Sequence, residues 1–141
     1  MGKRVRLADL KTCEIPEGSG VYWVVVPDGM DIKFNPPVGE TLVRYQAETL
    51  QRIYEKNGSS TLYIGKAGGK GGLRRRLRQY WNTLFMGGKS HRGGRAIGQV
   101  EHFENLYFEF MECENCEARE TELLKKFKAD HGSYPVANHR G

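Results

Sequence analysis

Residues 61–69 read TLYIGKAGG, and LRRRLRQYW follows at 73–81. The apolar run Leu62-Tyr63-Ile64 breaks into glycine with a lysine at the break. A strand that ends in a cationic, glycine-rich loop and feeds an arginine-rich helix is built to receive something anionic. Around this stretch the chain divides readily. GVYWVVV (20–26) is apolar on both alternating faces and predicts a central strand covered on each side. PDGMD (27–31) is a turn, and 32–41, with two prolines, is irregular. Apolar residues at helical spacing predict a helix over 42–57, stopped by Asn57-Gly58. A second strand covers 61–66, Gly68 to Gly72 form a loop around Lys70, and a helix covers 73–85. After the basic, glycine-rich 86–95, alternation predicts a third strand over 100–112. A last helix covers 115–132, with Lys125, Lys126 and Lys128 near its C-terminus and Gly132 as its stop. The tail around Pro135 reads as extended.

The order β, α, β, α, β, α with short strands predicts a small α+β layer, and 141 residues are enough for one domain spanning 1–141. No stretch approaches the roughly 18–20 apolar residues of a membrane span, so no membrane partner is expected. The N-terminus MGKRVRLADL does not resemble a secretory signal. Three cysteines without such a signal favour a reducing, cytoplasmic compartment. Cys113 and Cys116 make a lone CxxC; His131 and His139 lie downstream at looser spacing than zinc fingers use, so reduced, partly buried thiols are expected. The net charge of +5 agrees with an anionic partner such as nucleic acid without requiring one.

Helical-wheel arithmetic, at about 100° per residue, isolates two kinds of misplaced charge. In the last helix Leu123, Leu124 and Phe127 form a stripe with Glu120 near its middle. A carboxylate aimed at a core needs a cation or hydrogen-bond donors, so Glu120 is either in a structural ion pair or lines a cleft and holds a divalent cation. In 73–85 the stripe is Leu73, Leu77, Tyr80 and Leu84; Arg74 and Arg76 flank it on opposite sides, and the wheel does not choose between them. Arg75 and Arg78 point further out. The glycine loop is no P-loop, because G-x-x-x-x-G-K-[ST] is absent, and no dinucleotide fingerprint follows a strand.

GVY on one strand, LYIG on another, then LRRRLRQY, RETELLKKF and a final PVAN form an ordered set spanning residues 20–138. This set resembles the GIY-YIG nuclease family. The resemblance implies a three-stranded antiparallel sheet flanked by helices and hydrolysis of DNA phosphodiesters with Mg²⁺ or Mn²⁺, in a bacterial or phage-encoded protein. Position by position, it selects Tyr22 and Tyr63 as the two tyrosines, Arg76 over Arg74, Glu120 as the metal ligand and Asn138 as the terminal asparagine. Lys66 after YIG and Tyr80 four places after the arginine are similar to the nuclease subunit of bacterial nucleotide-excision repair; homing-type members often carry histidine at the latter place.

In the implied chemistry Tyr22 accepts the proton from water, with Lys66 as the cation that lowers its pKa. Arg76 bridges the phosphate, Tyr63 and Tyr80 position it or the water, and Asn138 braces the site. Lys70, Arg74, Arg75, Arg78, Lys89, His91, Arg92 and Arg95 are the expected DNA contacts. The chain departs from the family in the material at 28–59 between the two tyrosine motifs, an insertion that contacts DNA or a partner or extends the fold. Selectivity must then come from this insertion, from the loop at 87–95, from a dimer or from a partner protein. A non-catalytic nucleic-acid-binding module on the same fold is the alternative.

Overall fold

The computed structural model describes residues 3–36, 46–86 and 96–138. Four strands, β1 (Lys3–Arg6), β2 (Gly20–Val25), β3 (Thr61–Ala67) and β4 (Tyr107–Glu112), form one antiparallel sheet in the order β1-β4-β2-β3. The expected three strands are its β4-β2-β3 part, and the three-stranded expectation is corrected by β1. That strand pairs Val5 with Phe108 and Lys3 with Phe110 at the outer side of β4. The third strand starts at Tyr107 rather than at 100. His102 takes a left-handed φ of 60° and Phe103–Asn105 coil into a 3-10 turn, which ends the alternation before it.

Besides helices α1 (Ala47–Asn57), α2 (Gly72–Met86) and α3 (Cys116–His131), residues 96–98 are helical. The stops expected at Gly58 and Gly132 are left-handed caps whose N–H groups reach Tyr54 O and Lys128 O. The start of the helix predicted from 42 lies outside the described residues. The tail does not stay extended: Val136–Asn138 make a 3-10 turn.

Strand alternation sorts the core. Tyr22, Val24, Phe108 and Phe110 share one face, which α2 covers with Leu73, Leu77 and Tyr80, all fully buried. Leu50 of α1, Phe34, Val136 and Ala137 join the same core. The described parts of the segment, 28–36 and 46–59, therefore belong to the fold. Gln51 bonds the backbone of Ile32 and Phe34, and buried Asn57 donates to Tyr134 O at 3.0 Å. Val21, Ile64 and Phe127 are buried outside this cluster, and α3 lies against β3 and β2. Among the described residues no helix is long and apolar enough to cross a membrane.

Candidate active site

The register of β2 against β3 pairs Tyr22 with Gly65 and Val24 with Tyr63. The two tyrosines therefore stand on one face, diagonal to each other across a glycine. A Cβ on Gly65 would lie 2.5 Å from Tyr22 Oη and 2.7 Å from Tyr63 Cε2, so the glycine makes room for both rings. Helix α2 adds Tyr80, whose ring centroid lies 5.6 Å from Tyr22 and 6.1 Å from Tyr63. Tyr22 and Tyr63 are 6.0 Å apart, and Phe108 backs Tyr22 and Tyr80 at 6.2 and 4.9 Å. Tyr22 and Tyr80 are wholly buried, while Tyr63 is half-buried. Each of the three phenols bears electrostatically on the other two.

The electrostatics of this cluster tie in the two misplaced charges. Burial pushes all three phenols above their ordinary value, Tyr22 and Tyr80 well above it. The Arg76 guanidinium pulls each of the three back down. The Glu120 carboxylate pushes Tyr22 and Tyr63 further up. Arg76 of α2 and Glu120 of α3, both half-buried, thus act on the same phenols. Glu120 lies on the packed face of α3 with Leu123, Leu124 and Phe127, as the wheel required.

Lys66 has a different place. It pairs with Val21 in the register, on the face opposite Tyr22, and its ammonium meets Glu117 at 3.6 Å. The cation that bears on Tyr22 is Arg76, not Lys66, and it does not overcome burial. Asn138 is a brace in the literal sense. Its Oδ1 accepts from Ile64 N and its Nδ2 donates to Ile64 O, both at 2.9 Å, between Tyr63 and Gly65. The resemblance singled out Asn138 as a brace, but its partner Ile64, far away in the chain, has no local sequence signal.

Among the remaining basic residues, Arg74 is occupied. Its Nε donates to Ile15 O at 2.8 Å and its guanidinium pairs with Glu17. The leading N–H groups of α2 are also taken: Leu73 and Arg74 donate to Gly18 O and Pro16 O at 3.0 and 3.1 Å. Gly72 allows this contact, since a Cβ there, at φ 45°, would strike Gly18 O at 2.2 Å. This helix start is filled by backbone and does not receive a phosphate. Lys70 and Arg75 are exposed, and Arg78 is half-buried. Lys89, His91, Arg92 and Arg95 lie outside the described residues.

The cleft beside the glycine loop has an unexpected character. About 690 Å³ in volume, it is lined by Ser19, Gly68, Gly69, Glu112, Glu114 and Glu117, together with Cys113, Asn115 and Cys116. Three carboxylates make it unsuited to a DNA backbone, and none of Tyr22, Tyr63, Tyr80, Arg76 or Glu120 lines it. Cys113 and Cys116, like Cys13, are free and half-buried, as expected of reduced thiols.

Among the described residues no three His, Cys, Asp or Glu side chains gather to cage a metal ion. A single carboxylate still suits Mg²⁺ or Mn²⁺, which keep several waters and take further oxygens from a substrate phosphate. Glu120 supplies that hard oxygen ligand beside Arg76 and the phenols. Compared with protein-family models, curated proteins and solved structures, the chain finds no match in any of the three.

Proposed function

We propose that this chain is a metal-dependent endonuclease of the GIY-YIG type that hydrolyses DNA phosphodiesters. The observation that carries the proposal is convergence: side chains from β2, β3, α2 and α3 bear on one phenol cluster, with a guanidinium and a carboxylate both acting on Tyr22 and Tyr63. Hydrolysis of a phosphodiester needs an oriented water, charge against the phosphate and help for the leaving oxygen. Arg76 presents a planar fork to the phosphate oxygens. Glu120 would hold Mg²⁺ or Mn²⁺, and a bound ion supplies Lewis-acid charge and lowers the pKa of neighbouring groups. The phenol cluster orients the attacking water through the member that reaches solvent. Asn138 fixes the strand that carries Tyr63. Exposed Lys70 and Arg75 supply phosphate contacts at the approach.

Supercoiled plasmid incubated with Mg²⁺ or Mn²⁺ tests this reading. The wild type converts it to nicked and linear forms, whereas Glu120→Gln and Arg76→Ala leave it intact while melting like the wild type. A wild type that leaves the plasmid whole defeats the enzyme reading. The second reading is a non-catalytic nucleic-acid-binding module. The raised phenols favour it, because a buried neutral Tyr22 is a weak base. Under that reading the wild type retards DNA on a gel without cutting it. In either case binding weakens steeply with added salt, as it does when several Lys and Arg meet phosphates.

A further inference from the structure

The three phenols differ in how they meet solvent. Tyr22 is 1% exposed and Tyr80 0%. Tyr22 has Gly65 against its hydroxyl end, Phe108 stacked behind it and Tyr80 edge-on. Tyr80 is enclosed by Tyr22, Tyr63 and Phe108. Tyr63 sits on β3, an outer strand of the sheet, and keeps part of its surface open. Arg76 from α2 and Glu120 from α3 act on Tyr63 as they do on Tyr22, so exposure, not charge, is what sets the outer phenol apart.

We infer that Tyr63 is the phenol that touches the phosphate or its attacking water, and that Tyr22 and Tyr80 are positioning residues that act through it. This rests on the nuclease reading for its substrate. Wholly buried hydroxyls cannot meet a DNA backbone unless the sheet and α2 separate, and Leu73 and Leu77 hold those two together. The inner phenols fix the ring of the outer one by packing against it, with centroids 6.0 and 6.1 Å away. The roles implied by the resemblance are thereby exchanged between Tyr22 and Tyr63.

Nitration by tetranitromethane, mapped by peptide mass spectrometry, reads this directly. In the intact chain Tyr63 is modified, with exposed Tyr134 as the internal reference, and Tyr22 and Tyr80 are spared. A short DNA duplex, added with Ca²⁺ so that it is not consumed, protects Tyr63 and leaves Tyr134 reactive. Modification of Tyr22 as readily as Tyr63, or no protection of Tyr63 by bound duplex, overturns the inference whether or not the protein cuts. Plasmid cleavage supplies the second arm. Tyr63→Phe lowers kcat by about 100-fold or more, the scale of a lost polar contact to the reacting group. Tyr22→Phe lowers kcat by about tenfold with KM unchanged and an unaltered melting curve, as a lost orienting contact does. The reverse order of the two variants refutes the assignment. A wild type that binds and protects Tyr63 without cutting refutes the nuclease reading alone.

Discussion

Helices α2 and α3 carry the two charged groups of the site, and they are attached to the sheet differently. α2 buries Leu73, Leu77 and Tyr80 completely, and its leading N–H groups are bonded to the 16–18 segment. α3 buries only Phe127; Leu123 and Leu124 remain half-exposed, and an exposed ion pair from Lys66 to Glu117 assists near its start. Arg76 is thus fixed by a dense core, whereas Glu120 rides on a helix held by thinner packing. Local opening begins where few apolar contacts must be broken, so of these two helices α3 is expected to release first.

The largest expected effect tests that contrast. Leu77→Ala should cost about 2–5 kcal/mol, the range for a fully buried leucine, and Leu124→Ala about 1 kcal/mol, both read from urea melts. Equal losses would break the comparison. Gly65→Ala should cost about 1–3 kcal/mol, since the new methyl falls on the Tyr22 ring. A variant as stable as the wild type would mean that the ring moves aside freely.

Alkali sharpens the contrast on the α2 side. Phenols raised by burial stabilise the fold fully below their unfolded value near 10, and that contribution fades as pH climbs from there toward the folded values. Each of Tyr22 and Tyr80 should remove about 1.4 kcal/mol of stability per pH unit in that window. Tyr22→Phe should therefore flatten the loss, and an unchanged alkaline slope would contradict its burial. Asn138→Ala should cost about 1–2 kcal/mol by releasing two backbone bonds on β3, with Asn138→Asp costing at least as much because it sets a carboxylate oxygen against Ile64 O. Smallest of all, Glu17→Ala should cost no more than about 1 kcal/mol, as an exposed ion pair with Arg74 does. Hydrogen exchange across α2 and α3 would rank the two helices in the same experiment.

Much of the fold was legible because its signals are local. The apolar alternation of 20–26 and 61–66, the helical stripes and the Gly58 and Gly132 stops all survive in the structure. β1 was not legible: KRVR offers a single apolar residue, Val5, and an edge strand with one covered face leaves little pattern. Periodicity alone also placed Glu120 on a packed face, but the wheel left Arg74 and Arg76 equivalent. What separates them is the Ile15–Glu17 segment, which occupies Arg74 from more than fifty residues away. The reading of 20–26 as a covered central strand implied a covered Tyr22, but not that Phe108 and Tyr80 enclose it from distant parts of the chain. The acidic character of the cleft beside the glycine loop depends on Glu112, Glu114 and Glu117 arriving at Gly68 through the fold, which local reading of TLYIGKAGG does not show.

The Asn138 clip has a bearing on solution behaviour. An outer β-strand offers a ready template for a second molecule, and many proteins guard such a margin with charge or proline. Here one amide, satisfying both the donor and the acceptor of Ile64, imitates a neighbouring strand at a single rung and denies it to newcomers. Trimming the last few residues would therefore reach beyond the pocket: it would uncover a sticky seam and favour self-association.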